Sequence, residues 1–170
     1  MAEIDVIVVG AGNAALAAAA SAREQGARRV VVLEKATREL RGGNTHYSGG
    51  LLRFAYDSSE DLRPLVPDAD KQVPGFYAGV EPYPREAFRK DLLRVTEGRT
   101  DPELAEILIG RSQDTVRWMA RQGIAMEPAV SLSAVRVGDI LKWSPGAIIR
   151  ARHEGVGLSA MWLDIVEALG

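Results

Sequence analysis

Cysteine is absent from this 170-residue sequence, and histidine occurs at only two positions. Without cysteine the chain has no disulfide framework, no thiolate nucleophile and no thiolate ligands for an iron–sulfur cluster. His46 and His153 lie far apart in the sequence, so we expect no zinc site and no bound metal. These absences exclude thiol chemistry and disfavour metal chemistry.

Long apolar runs and blocks of like charge are also missing. No stretch approaches the roughly 18 apolar residues that span a bilayer, and residues 1–9 lack the basic start of a secretion signal. The formal net charge is −2, with Lys and Arg spread along the chain, so we expect no nucleic-acid partner. The predicted localisation is the cytoplasm, without direct membrane insertion.

With 46% hydrophobic residues, the chain can bury one modest core, as a compact domain or a piece of a larger one.

Residues 4–33 predict a βαβ unit. Residues 4–9 (IDVIVV) and 29–33 (RVVVL) are short β-branched runs, typical of parallel strands that are buried on both faces. Between them, the alanine-rich residues 13–25 predict a helix that ends at Gly26. Strand, helix and strand of these lengths form a right-handed crossover. Because only two strands are evident, the predicted fold class is α/β, with a Rossmann-like βαβ unit followed by helices in an incomplete doubly wound parallel sheet.

The remainder of the chain is predicted to be mainly loop and helix. Residues 57–84 contain five prolines and little periodicity, which predicts a loop-rich connection. The other predicted elements are a helix over residues 85–96, a helix over 102–122, a strand or hairpin over 130–143 around Gly138 and Asp139, and an amphipathic helix over 158–169.

The predicted helix over residues 102–122 has clear boundary signals. Asp101 is placed to cap it, Pro102 takes the first helical position, and Gly123 follows its end. The residues of its predicted buried stripe are Leu104, Leu108, Thr115 and Met119.

The turn between the first strand and the first helix carries a dinucleotide-binding pattern. Gly10, Gly12 and Ala15 form G-x-G-x-x-A, which allows a tight turn, close approach of a pyrophosphate and close packing of helix on strand. Phosphates would meet free N–H groups at the positive end of the helix. Glu34 ends the second strand, where an acid accepts hydrogen bonds from the adenosine ribose and disfavours the 2′-phosphate of NADP. NAD and FAD share the pattern, so both stay open at this point.

A second glycine-rich stretch follows Glu34 and Lys35. Residues 41–50 read RGGNTHYSGG, and the entropic cost of so many glycines suits a bulky group close to the main chain. The stretch resembles the flavoprotein subunits of the fumarate reductase and succinate dehydrogenase superfamily, whose domain binds FAD. This resemblance implies a pyrophosphate site at Gly10, Gly12, Asn13 and Ala14, and an adenosine site at Glu34 and Lys35. The residues that it implies along the ribityl chain and the flavin ring are Gly43, Asn44, Thr45, Ser48, Gly49 and Gly50.

A closer resemblance extends further along the chain. Residues 88–124, FRKDLLRVTEGRTDPELAEILIGRSQDTVRWMARQGI, are similar to helices of tricarballylate dehydrogenase flavoproteins and of the related CobZ flavoprotein of cobalamin synthesis. The tail GVGLSAMWLDIVEALG fits the helix that precedes the next strand in this family. The resemblance implies the N-terminal portion of an FAD-dependent oxidoreductase that dehydrogenates or reduces a carbon–carbon bond next to a carboxylate. It further implies a small di- or tricarboxylate substrate and an iron–sulfur or haem electron-transfer partner, through which the protein would lie at the inner membrane.

Two departures from the family pattern bear on the implied site. Some succinate dehydrogenases attach FAD covalently to a histidine at the position that Gly43 occupies here, so we expect non-covalent FAD and interpret His46 as a loop residue. The family's capping domain, with its substrate-binding arginine and histidine residues, is not found in residues 1–170, and no catalytic residue is assigned. We interpret Arg150, Arg152 and His153 as a solvated basic cluster.

The predicted organisation has three parts: an FAD-binding βαβ unit with the flavin loop over residues 1–56, a loop-rich connection over 57–84, and a helical continuation of the same domain over 85–170. Residues 1–170 alone are expected to be inactive. Two alternatives stay open, a truncated dinucleotide-binding fragment without catalytic activity and an NAD-binding Rossmann protein. The NAD alternative is disfavoured because NAD sites do not need the GGNTHYSGG stretch.

Overall fold

The computed structural model describes residues 3–138 and 140–170 of the chain. The helices, in chain order, are α1 (Asn13–Glu24), α2 (Gly43–His46), α3 (Ala69–Gln72), α4 (Arg85–Val95), α5 (Pro102–Gln122), α6 (Val130–Ser133) and α7 (Glu154–Leu169). The strands are β1 (Val6–Val9), β2 (Val30–Leu33), β3 (Leu51–Leu52), β4 (Met126–Pro128), β5 (Ala134–Val137), β6 (Ile140–Trp143) and β7 (Ile149–Ala151). These elements form two compact units, one of residues up to 50 with 122–124 and 151–170, the other of 51–121 with 125–150.

The first unit contains the predicted βαβ arrangement. Strands β1 and β2 pair in parallel, with Val6 opposite Val30 and Val9 opposite Leu33. Helix α1 packs against both strands and against α7, which also packs on α2. Gly26 follows α1 with a φ of +97°, a left-handed conformation that ends a helix at little steric cost in glycine. The strand, helix and strand of the prediction are therefore confirmed.

The predicted burial of these strands on both faces is wrong for the described chain. Ile7, Val9 and Leu33 are 57%, 80% and 52% exposed, whereas Val6 and Val8 are half-buried. Side chains alternate between the two faces of a strand, so one face of the pair is covered and the other is open. The parallel sheet of the described residues has two strands, which leaves the doubly wound sheet unconfirmed.

The second unit combines helices α4 and α5 with short strands and short helices around an aromatic core. Strand β7 lies between β3 and β4 in one small sheet, and β5 pairs with β6 as an antiparallel hairpin. The predicted loop over residues 57–84 contains α3 and two short 3₁₀ helices, Ser59–Leu62 and Tyr77–Gly79. Its fully buried side chains, which include Leu62 and Phe76, make it part of the core and not only a connection.

The predictions for the later elements have mixed outcomes. Helices α4 and α5 are confirmed, and Asp101 Oδ1 caps α5 by accepting from the N–H groups of Glu103 and Leu104, at 2.9 and 3.0 Å. The hairpin is confirmed in β5 and β6, although α6 takes the place of its predicted first residues. Gly138 follows β5 in a turn, and Asp139 lies outside the described residues. Helix α7 begins four residues earlier than predicted, at Glu154.

The predicted buried stripe of α5 is wrong in three of its four residues. Leu104 and Leu108 are 65% and 50% exposed, and Thr115 is also exposed, while Met119 is buried. The stripe that the structure buries is Ala105, Ile109, Ser112, Val116 and Met119. It includes small residues because neighbouring segments approach α5 closely there; the hydroxyl of buried Ser112, for example, accepts from the N–H of Ala55 at 3.0 Å.

In the part of the chain that the structure describes, no helix is long and apolar enough to cross a bilayer.

Candidate functional site

The turn between β1 and α1 presents unpaired backbone donors. Gly10 has a φ of +98° and donates its N–H to the carbonyl oxygen of Leu33 at 2.7 Å, which ties the turn to the end of β2. Gly12 precedes α1 in an extended conformation and, as the N-cap residue, has no side chain with which to cap the helix. Within the described residues, the N–H groups left without an acceptor at this helix start are those of Gly12, Ala14 and Ala15. Such donors, together with the positive end of the helix dipole, suit an anion.

Glu34 links this turn to the chain that leaves β2. Its carboxylate accepts from the N–H of Ala11 through Oε2 at 2.7 Å and from the N–H of Ala36 through Oε1 at 2.8 Å. The pKa of Glu34 lies below its ordinary value, chiefly because the Ala36 N–H stabilises the charged form, with smaller contributions from the Ala11 N–H and Lys35 against the effect of burial. Each carboxylate oxygen has a further lone pair, so Glu34 can still accept from hydroxyl groups. The exposed Lys35 follows it.

The second glycine stretch, here called the glycine loop (residues 42–50), lies directly against the first turn. Thr45 Oγ1 accepts from the backbone N–H of Asn13 at 2.9 Å. A side chain at Gly12 would contact the same oxygen at 3.4 Å. Gly43 and Asn44 are exposed, and the space beside Gly43 is open. The two glycine motifs therefore form one continuous surface of main chain.

Internal hydrogen bonds shape the end of the glycine loop. Ser48 Oγ donates to the carbonyl oxygen of Thr45 at 2.8 Å and accepts from the N–H of Gly50 at 3.2 Å. Gly49 is half-buried and Gly50 is buried, with a φ of +63°. A side chain at Gly50 would come within 2.9 Å of the backbone of Glu154, so this position requires glycine.

Helix α7 is the part of the site that sequence reasoning missed. The N–H of Gly155 donates to the carbonyl oxygen of Ser48 at 2.9 Å, and Ser159 lies against Gly42. The indole N–H of the fully buried Trp162 donates to Asn13 Oδ1 at 2.7 Å. The spacing of Gly155, Ser159 and Trp162 places them on one helix face, and two small residues followed by a tryptophan at this spacing were the available signal.

The residues interpreted as a solvated basic cluster do not form one. Arg150 is largely buried and its Nε donates to Glu127 Oε1 at 2.9 Å, so the interpretation is wrong for this residue because a carboxylate neutralises it. Arg152 and His153 are exposed. His46 is half-buried, and its ring packs edge-on against that of Tyr47 with 5.1 Å between centroids.

Among the described residues, the cavities of the second unit are lined by residues other than those of the predicted site. One of them, of about 570 Å³, is lined by Gly75, Gly79 and Arg136. Within the same described ranges, no three His, Asp or Glu side chains come together in a way that could hold a metal ion.

The comparison with protein families shows which family contains the two glycine motifs. The family described as FAD binding domain matches residues 5–163, which is most of the chain. This chain belongs to the FAD binding domain family. The predicted cofactor, FAD, is thereby confirmed, and the resemblance to the fumarate reductase flavoproteins is supported at the level of the superfamily.

Two curated relatives of this FAD binding domain are reductases. The chain is 28% identical over 166 residues to "Fumarate reductase (cytochrome)" of Shewanella frigidimarina, an alignment that covers 98% of this chain and 24% of the relative. It is 33% identical over 134 residues to "Digoxin reductase" of Eggerthella lenta, covering 78% of this chain and 21% of the relative. The chain thus spans about a quarter of the length of the curated relatives that it matches.

Proposed function

We propose that this chain is the FAD-binding portion of a flavin-dependent oxidoreductase. The observation that carries the proposal is the hydrogen bond from the Asn13 N–H to Thr45 Oγ1, at 2.9 Å. It joins the dinucleotide turn to the glycine loop, and a second main-chain surface of this kind suits a cofactor with a flat ring beyond its pyrophosphate. An NAD site needs only the first of the two surfaces.

The proposed contacts follow the chemistry of each part of the surface. The unpaired N–H groups of Gly12 and Ala14 at the start of α1 suit the pyrophosphate. We assign Gly10 and Asn13 to the same subsite, although their N–H groups bond to Leu33 and Thr45. The ionised Glu34 suits the hydroxyl groups of the adenosine ribose, and Lys35 lies beside it. The exposed main chain at Gly43 and Asn44 leaves room for the ring, and the assigned ribityl and ring contacts are Gly43, Asn44, Thr45, Ser48, Gly49 and Gly50. FAD supplies the hydride chemistry when it is bound, and these residues hold it without a covalent bond.

We further propose that the substrate is a small di- or tricarboxylate. A carbon–carbon single bond next to a carboxylate would be dehydrogenated, as in tricarballylate dehydrogenase, or the corresponding double bond would be reduced. Support comes from the sequence resemblance over residues 88–124 and from a relative that is named a fumarate reductase. Reduction of such a double bond takes two electrons and two protons, and an iron–sulfur or haem partner would exchange the electrons. The proposed place of the protein is the cytoplasm, or the inner membrane surface through that partner.

The domain organisation is also a proposal. We infer that β1 and β2 begin a larger, doubly wound parallel sheet, and that residues 1–56, 57–84 and 85–170 are successive parts of one FAD-binding domain. The open face with Ile7, Val9 and Leu33 supports this, because apolar strand residues are usually covered in a parallel sheet.

The test is the visible absorption spectrum of the purified protein with added FAD, after free flavin has been removed. Retained bands at about 370 and 450 nm that dithionite bleaches are expected for a flavoprotein. A protein that binds ADP but retains no flavin would favour the non-catalytic fragment, and one that binds NAD in preference to FAD would overturn the proposal. Reoxidation of the bleached flavin by fumarate or by an unsaturated tricarboxylate would support the substrate class.

A further inference from the structure

Trp162 is a buried tryptophan whose only polar side-chain atom bonds to the dinucleotide turn. The side chain is 0% exposed, and its Nε1–H donates to Asn13 Oδ1 at 2.7 Å across 149 residues of sequence. This bond links the middle of α7 to the first residue of α1, next to the unpaired donors of Gly12 and Ala14.

The chemistry of the indole determines which way the Asn13 amide faces. An indole N–H can donate but cannot accept, so it selects the oxygen of the amide and turns the NH₂ group away from itself. Asn13 therefore keeps two side-chain N–H donors beside a helix start that already favours anions. Its backbone N–H is held separately by Thr45 Oγ1.

We propose that Trp162 is a positioning residue for FAD, which holds the Asn13 amide so that its NH₂ group donates to the pyrophosphate. This inference rests on the FAD site of the proposed function and extends it to α7. Trp162 itself is buried behind the turn and acts through Asn13.

Two neighbours on the same face of α7 are consistent with this role. Gly155 donates its N–H to the carbonyl oxygen of Ser48, and Ser159 packs against Gly42. Helix α7 thus contacts the glycine loop at two points and the dinucleotide turn at a third, and one helix sets the spacing between both motifs.

The experiment is a double-mutant cycle on FAD affinity with Trp162→Phe, Asn13→Ala and the double variant. The affinity is measured by quenching of flavin fluorescence at a temperature where circular dichroism shows every variant to be folded. A single hydrogen bond is worth about three- to tenfold in affinity, so Trp162→Phe should weaken FAD binding by that factor. In the Asn13→Ala background the same change should have almost no further effect, because its partner is gone.

Trp143→Phe is the matched control. Trp143 is 7% exposed, and its Nε1 has no hydrogen-bond partner within the described residues. The variant makes the same change of side chain in a buried position, and FAD affinity should equal that of the wild type.

A spectroscopic measurement on the unmutated protein covers the case in which Trp162→Phe does not fold. In ¹⁵N–¹H spectra, addition of ADP should shift the indole N–H signal of Trp162 and leave that of Trp143 in place. Any of three results would overturn this inference alone. The first is equal FAD affinity of the wild type and Trp162→Phe, and the second is an effect of Trp162→Phe that stays the same in the Asn13→Ala background. The third is an unshifted Trp162 signal in a protein that binds ADP. A wild type that binds neither FAD nor ADP would instead overturn the proposed function, and this inference with it.

Discussion

At the scale of the residue, Glu34 shows how a single ionised group can hold two turns of the main chain. Its two oxygens accept from Ala11 and Ala36, at 2.7 and 2.8 Å, and the charged form is favoured most by the Ala36 N–H. A glutamine of the same size has only one acceptor oxygen, so it cannot serve both N–H groups and would leave one of them unpaired.

Glu34→Gln is therefore expected to lower the melting temperature near pH 7 by a few degrees. The pKa of Glu34 in the folded chain lies below its ordinary value of 4.5, so the unfolded chain takes up the proton first as the pH falls. The stability that the Glu34 carboxylate contributes is fully present above the ordinary pKa of 4.5 and is lost as the pH falls through the lower pKa of the folded chain. A glutamine does not titrate. Thermal unfolding followed by circular dichroism should show the two melting temperatures converging below about pH 4.5. A difference that stays constant down to about pH 3 would contradict this account of Glu34.

At the scale of the element, α7 can lie close to the glycine loop because its second residue has no side chain. Gly155 is buried, and an added Cβ would come within 2.8 Å of the Ser48 nitrogen and closer still to the carbonyl oxygens of Thr45 and Ser48. These main-chain atoms already form hydrogen bonds, so moving them away would cost free energy.

Gly155→Ala should destabilise the chain by about 3 kcal/mol, through overpacking against the loop. Gly110→Ala in α5 is the matched control, because nothing lies within 4 Å of a Cβ at that helical position. There the gain in helix propensity should stabilise the chain by about 0.5–1 kcal/mol. Urea unfolding of both variants gives the two free energies. A Gly155→Ala protein as stable as Gly110→Ala would show that α7 does not pack on the loop as described.

Helix α5 shows which features of an element could be predicted from its own sequence. Asp101, Pro102 and Gly123 act within a turn of the helix end, and the predicted boundaries agree with Pro102–Gln122. The buried face depends on what packs against the helix, so choosing the largest apolar residues selected Leu104 and Leu108, which are exposed.

At the scale of the whole molecule, the same division applies to the site. The glycine turns and the acid at the end of β2 were predictable because each part of the motif has a local conformational reason. The bond between Trp162 and Asn13 was not, since it spans 149 residues and depends on how α7 packs in the fold. The prediction that β1 is buried on both faces rests on a rule for complete parallel sheets, whereas the parallel sheet of the described residues has two strands.

The open face of β1 provides a test of the inference that a larger sheet exists. Ile7 and Val9 are exposed in residues 1–170, whereas Val6 and Val8 on the other face are half-buried. Ile7→Thr with Val9→Thr keeps β propensity, so in this chain it should change the unfolding free energy by no more than about 0.5 kcal/mol. It should also reduce the binding of the dye ANS, because the apolar patch becomes polar.

Val6→Thr with Val8→Thr is the control on the covered face, and it should destabilise the same chain by about 1–3 kcal/mol through burial of two hydroxyl groups. In a longer protein that contains the remaining strands, the Ile7 and Val9 pair should become as costly as this control, because further elements would then cover that face. If the Ile7 and Val9 pair remains neutral in the longer protein while it retains FAD, the proposed doubly wound sheet does not extend over this face of β1.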